Sequence, residues 1–219
     1  MRTEWLILGA VLIVLPLVFL GPHEQKKVTE NKNLTLEEQR FLLELARNTL
    51  ESYLWNGSLP SVNRSELTPN LQKVQGCFVT LMKHGNLRGC IGHILPQEEL
   101  WKCVRDNAIA AALYDRRFQP VRYDELKDIE IEISVLSVPE PLQYNSTQEL
   151  LQMLRPGVDG VVIRYQGRQS TYLPQVWNML PEKEEFLSRL CMKQGSHPEC
   201  WKEKDVEIYT YQAFVFHEE

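Results

Sequence analysis

No dense block of lysine or arginine interrupts the globular part of this 219-residue chain. Its 24 basic residues are outnumbered by 29 acidic ones, giving a formal charge of −5. The sequence therefore offers no electrostatic footprint for a nucleic-acid partner. Cysteine is sparse and irregularly placed, at Cys77, Cys90, Cys103, Cys191 and Cys200. The count is odd and no C-x-x-C pair occurs. This argues against a zinc site or a disulfide framework, and fits a reducing compartment. No P-loop, dinucleotide fingerprint or H-E-x-x-H motif is present. No three-cysteine cluster is available for an iron–sulfur centre, so the chain is not itself a radical-SAM enzyme. Neither a metal nor a cofactor is expected, and no internal repeat is visible.

A single long apolar run occurs, WLILGAVLIVLPLVFL at residues 5–20, with no charge in it. A spanning helix takes about 20 such residues. Gly21 and Pro22 at the interface bring the run to a short span. A cleaved signal would want small residues at its processing site, and Phe19 and Gly21 before Pro22 make a poor one. A core helix would show a polar face, which this run lacks. The expected organisation is a short tail at 1–4, a single-pass membrane anchor at 5–21, a polar linker at 22–33 and a domain at 34–219. Lys26, Lys27 and Lys32 weakly favour a cytoplasmic domain. Asn33, Asn56, Asn63 and Asn145 stand in N-x-[ST] triplets. These matter on a secretory route, and they also suit turns and helix caps, the preferred reading.

Thr35 and Glu38 predict a capping box, opening a helix that runs to Trp55 and stops at Asn56-Gly57. Cys77–Lys83 and Leu87–Ile91 predict a hairpin around His84-Gly85-Asn86, followed by a helix over residues 97–114. Along residues 128–138, Ile129, Ile131, Ile133 and Val135 share one face, and Glu130, Glu132 and Ser134 the other. A short helix follows Ser146, and a second hairpin spans residues 161–173. A helix then opens at Pro181, and a last strand covers 206–216. Antiparallel hairpins mixed with helices read as an α+β fold, an antiparallel sheet with packed helices.

The chemistry-bearing stretch is Leu87-Arg88-Gly89-Cys90-Ile91-Gly92. Gly89 and Gly92 let backbone approach a ligand closely. Arg88, two residues before Cys90 on a strand, would share its face and place a positive charge beside the thiol. A following helix start would favour a thiolate or bound anion. In the plainer reading Cys90 is a buried structural thiol and the glycines serve a tight bend. His93 is a base or a rim residue. Glu132 and Ser134 read as a solvated strand face, and Asp159 as a turn residue. Arg117 is an anion clamp or a cap. Thr171 and Gln175 hydrogen-bond within their loop.

Several blocks carry a resemblance. Leu87–Gly92, Asp106–Ala112, Asp115-Arg116-Arg117-Phe118, Glu130–Leu136, Arg155–Gly160 and Thr171–Trp177 resemble, in order, the motifs of the AMMECR domain family. In bacteria and archaea that family is called AmmeMemoRadiSam system protein A. The resemblance implies a larger and a smaller lobe with a cleft between them. Cys90, Arg88 and Glu132 are then candidate catalytic groups. Gly89, Gly92, His93, Arg117, Ser134, Asp159, Thr171 and Gln175 are candidate cleft residues. His93 and Arg116 depart from the family pattern. The resemblance also implies partnership with a Memo-type protein and a radical-SAM enzyme. Two functions follow: a component of such a modification system that uses the Cys90 thiol, or a binding module whose glycine-rich cleft holds a small anion or partner segment.

Overall fold

Thr35 opens the first element of the computed structural model, which describes residues 34–218. Its hydroxyl accepts the Glu38 N–H at 3.2 Å, and the Glu38 carboxylate accepts the Thr35 N–H at 2.8 Å. This reciprocal cap satisfies two of the donors that every helix start leaves open. Helix α1 (Leu36–Asn56) ends at Gly57, whose φ of 77° is the left-handed cap a side chain would strain.

Strands β1 (Cys77–Lys83) and β2 (Asn86–His93) form the first hairpin, followed by α2 (Leu100–Leu113) and β3 (Ile129–Leu136). Next come β4 (Glu140–Pro141), α3 (Thr147–Met153), β5 (Gly160–Tyr165), β6 (Arg168–Tyr172) and α4 (Lys183–Lys193). The chain closes with β7 (Glu207–Tyr211) and β8 (Ala213–His217).

The strands make two antiparallel four-stranded sheets, in orders β2-β1-β3-β8 and β4-β7-β5-β6. In the first, Val79, Leu81, Ile131 and Ile133 point to one face and meet Leu42, Ala46 and Leu50 of α1 and Val104 and Ala108 of α2. In the second, Val161, Ile163 and Ile208 meet Leu150 of α3 and Phe186 and Leu190 of α4. Leu136, Val162 and Tyr211 form a smaller apolar cluster that joins the two sheets. The expected larger and smaller lobes are these two sheets with their helices.

The expected last strand is two strands. β7 pairs with β5, ending at Tyr211↔Gly160, while β8 pairs with β3 from Ala213↔Leu136. Gln212 makes the switch. Its N–H donates to the Ser137 hydroxyl and its carbonyl accepts the Ser137 N–H, both at 2.9 Å. Gly160 admits the Tyr211 ring, since a Cβ there would lie 2.4 Å from it.

The expected single-pass membrane location with a cytoplasmic domain is corrected. Among the described residues no helix is long and apolar enough to cross a membrane. The run at 5–20 that prompted the expectation lies outside the described residues, as do the tail, the linker and Asn33.

Candidate functional site

Alternation along three strands builds the site. Core-facing Val79, Leu81, Ile131 and Ile133 force their neighbours to the opposite face. The register then aligns Cys90 with Thr80, Thr80 with Glu132, and Glu132 with His217. These four residues form one row across β2, β1, β3 and β8. Thr80 Oγ1 donates to Cys90 Sγ at 3.3 Å. In the next row Ser134 is buried and accepts from Gln175 Nε2 at 3.2 Å. Gln175 Oε1 is buried and has no partner.

The segment after α2 wraps back onto this row. Asp115 Oδ2 accepts the Cys90 N–H at 2.9 Å and an Arg117 N–H at 2.6 Å. Arg117 also donates to the Cys90 carbonyl at 3.4 Å. Lys193, at the end of α4, donates to the Thr171 carbonyl at 2.8 Å with its ammonium 4.9 Å from the Tyr172 ring centre.

These neighbours set the charge states. Burial pushes the Cys90 thiol up; Thr80 and Arg117 pull it back, and the Asp115 and Glu132 charges oppose them. Burial likewise raises Glu132, with His217 working against it. The ion pair with Arg117 is the largest cause holding Asp115 down at about 2. Burial, then the Arg117 charge, lowers Lys193, and Cys90 resists. Burial thus works against the lowering of the Cys90 pKa that the Arg88-Gly89-Cys90 stretch led to expect.

Two features that the expectation relied on lie elsewhere. First, Arg88 does not face Cys90. Leu81 pairs with Gly89 and Met82 with Leu87, so Arg88 is the unpaired extra residue of a β-bulge. The bulge turns its guanidinium to Glu125 at 3.0 Å and the Gln119 carbonyl at 2.9 Å. Second, α2 starts at Leu100, and its other end lies beside the strand. A Cβ on Gly89 would sit 2.2 Å from the Ala111 carbonyl, in the last turn of α2. The helix N-terminus that would have favoured a thiolate is therefore not at Cys90.

The other candidates separate. Gly89 and Gly92 serve packing rather than a ligand cradle: a Cβ on Gly92 would meet the Cys77 carbonyl at 2.1 Å and the Phe78 ring at 2.5 Å. His93 pairs opposite Cys77, with Nε2 3.6 Å from Cys103 Sγ, away from the Cys90 row. Asp159 is buried in a turn, bound to Arg155 at 2.6 Å and to Gln212 at 3.2 Å. Thr171 Oγ1 donates to the Val161 carbonyl at 2.8 Å and lies 2.9 Å from the Tyr211 hydroxyl. Burial pushes that phenol up to about 12. Arg117 and Glu132 therefore lie near Cys90 and Ser134 and Gln175 in the next row, whereas Arg88, His93 and Asp159 lie apart.

Sequence reasoning passed over Thr80, Asp115 and Lys193. Asp115 stood in the Asp-Arg-Arg-Phe block, and its place between two candidate groups was the available signal. Thr80 could be found only from the β1 register. Lys193 carried no local signal.

The cysteines also differ from expectation. Cys77 is disulfide-bonded to Cys103 and Cys191 to Cys200, leaving Cys90 free. The expected absence of disulfides in a reducing compartment is thus corrected: irregular spacing hides pairs that β1 against α2, and α4 against its following turn, bring together. His93, Glu98 and Cys103 hold ligand atoms within 4.8 Å of one another. With the Cys103 sulfur bonded to Cys77, that group lacks its thiolate and does not fit a metal. A surface hollow of about 1380 Å³ lies between α1 and the ends of β3 and β8, and Cys90 does not line it.

Comparison with known proteins agrees with this architecture. Residues 43–216 match the family model described as AMMECR1. A protein of Methanothermobacter thermautotrophicus is 40% identical over 189 residues, covering 85% of this chain and 97% of its own length. One from Methanosarcina mazei is 39% identical over 191 residues, covering 84% and 94%. The crystal structure of uncharacterized protein PH0010 from Pyrococcus horikoshii superposes with a TM-score of 0.76 at 34% identity, over 82% of this chain and 90% of that one. By sequence and fold alike, the chain belongs to the AMMECR1 family.

Proposed function

We propose that the chain is a binding module whose Cys90 cleft holds an anionic group, a carboxylate or phosphate, of a small molecule or a partner segment. The observation that carries this reading is the meeting of Arg117 and Lys193 at Cys90 with a single neighbouring carboxylate, Asp115, that is held ionised. Cys90 and Glu132 are both pushed toward their neutral forms. A bound anion would offset the burial that disfavours the charged form of Lys193, in a partly buried site where a charge-assisted hydrogen bond is strong. The test is a thermal-shift and calorimetric screen of inorganic phosphate, acetate and dicarboxylates. A binding anion stabilises the folded chain by mass action. The expected stabilisation disappears in Arg117→Ala and Lys193→Met and weakens with salt. Equal melting of all three proteins in every anion defeats the reading.

A second reading keeps the thiol chemistry. Burial and Arg117 pull Lys193 toward its neutral form within electrostatic range of Cys90, and a neutral amine there would be the base a neutral thiol needs to become a nucleophile. In this reading the chain serves, as its resemblance to AmmeMemoRadiSam system protein A implies, beside a Memo-type protein and a radical-SAM enzyme. Co-purification of such partners, lost in Cys90→Ser, supports it; recovery of the chain alone under mild lysis counts against it.

A further inference from the structure

We propose that Asn56, Asn63 and Asn145 are acceptors for N-linked glycans, and that this domain matures in an oxidising compartment. Two independent observations meet here. The first is the pair of disulfides, one in each lobe: Cys77–Cys103 ties β1 to α2, and Cys191–Cys200 ties α4 to the turn after it. All four sulfur-bearing residues are fully buried. Disulfides of this structural kind persist where thiols are not kept reduced.

The second is the placement of the N-x-[ST] triplets. Asn56-Gly57-Ser58, Asn63-Arg64-Ser65 and Asn145-Ser146-Thr147 all present an exposed asparagine, and none has proline in the middle. Each sits where backbone leaves regular structure: the end of α1, the start of a short 3-10 turn, and the residue before the α3 cap. Asn56 Oδ1 is engaged by the Ser58 N–H at 2.9 Å, which turns the Nδ2 side outward. Asn63 and Asn145 donate Nδ2 to Glu66 at 2.6 Å and Glu149 at 3.2 Å, both surface contacts that an acceptor can give up. None of the three belongs to the Cys90 row or its charged neighbours. Two flank a stretch of exposed apolar surface, with Trp55 at 72% and Leu59 at 47% exposure, which sugar would cover.

The modification is a group transfer from a lipid-phosphate-linked oligosaccharide, catalysed by an oligosaccharyltransferase. The asparagine Nδ2 forms a bond to sugar C1 while the C1–O bond to phosphate breaks. The lipid phosphate leaves with the electron pair, and one amide proton passes to it or to a base.

The experiment uses the full chain purified, without reductant, from the cells that make it. Free thiols are alkylated, the protein is digested, and intact glycopeptides and disulfide-linked peptides are read by mass spectrometry. The expected result is sugar on at least two of the three asparagines, together with linked Cys77–Cys103 and Cys191–Cys200 peptides. At each asparagine found to carry sugar, the matching variant (Asn56→Gln, Asn63→Gln or Asn145→Gln) should remove one glycan's mass from the intact chain. Unmodified peptides at two or all three sites overturn the proposal, whether or not the disulfides have formed. So does alkylation of all five cysteines.

Discussion

Cys90 donates its backbone N–H to Asp115 Oδ2 at 2.9 Å, across 25 residues of sequence. The same carboxylate takes both forks of Arg117, at 2.9 and 2.6 Å. One side chain thus fixes the strand that carries the thiol and the cation that faces it.

That linkage has a pH signature. Asp115 is held down at about 2 by Arg117 and by the Cys90 N–H. A carboxyl whose folded pKa is depressed stabilises the fold above its unfolded value of about 3.9, and loses that contribution as pH falls through the folded one. Glu125, held near 2 by Arg88 and then Lys83, acts in the same window. Melting temperature should fall steadily from pH 5 to pH 2. Asp115→Asn should lower it by several degrees at pH 7 and flatten the acid slope. An unchanged slope removes Asp115 from this role.

The neutral state of Cys90 is measurable by alkylation. Iodoacetamide labelling, read by mass spectrometry without reduction, should remain slow through pH 7 and accelerate only above the ordinary cysteine range of about 8.5. Thr80→Val removes the donated hydrogen bond and should move the curve to still higher pH. Full labelling at pH 6 would show an activated thiolate instead.

The thiol and its flanking glycines should behave oppositely under substitution. Cys90→Ser keeps size and the Thr80 partner, so its cost should be about 1 kcal/mol or less. Gly89→Ala and Gly92→Ala drive a Cβ into backbone carbonyls at 2.2 and 2.1 Å. Overpacking of this kind costs about 1–3 kcal/mol or more, and each kcal/mol moves the melting temperature by about 2–4 °C. Thermal melts of the three variants decide it. If both alanine variants melt with the parent chain, the close packing of Gly89 on α2 and of Gly92 on β1 is wrong.

Reduction should separate the two disulfides. The Cys77–Cys103 bond closes a span of 26 residues and Cys191–Cys200 one of 9. Loop-closure entropy then gives losses of roughly 3–4 and 2–3 kcal/mol. Melts of Cys77→Ala/Cys103→Ala and Cys191→Ala/Cys200→Ala should fall in that order. Equal melting of parent and double variants would show that the bonds contribute nothing.

What the sequence determined was local. The Thr35–Glu38 box and Asn56-Gly57 stop bound α1 because caps depend on a few adjacent residues. Period-two alternation along 129–136 put Glu132 and Ser134 on one face and the isoleucines in the core. The tertiary structure decided everything that depends on which strand lies beside which. The extra residue in β2 turned Arg88 away from Cys90, and bulges leave no mark in a hydrophobic pattern. Gln212 moved the chain from one sheet to the other within a run that reads as continuous strand. Lys193 came within electrostatic range of the thiol from α4, about a hundred residues downstream. The cysteine pairs are likewise a property of packing: sequence spacing says how many residues separate two sulfurs, and the fold says how many ångströms.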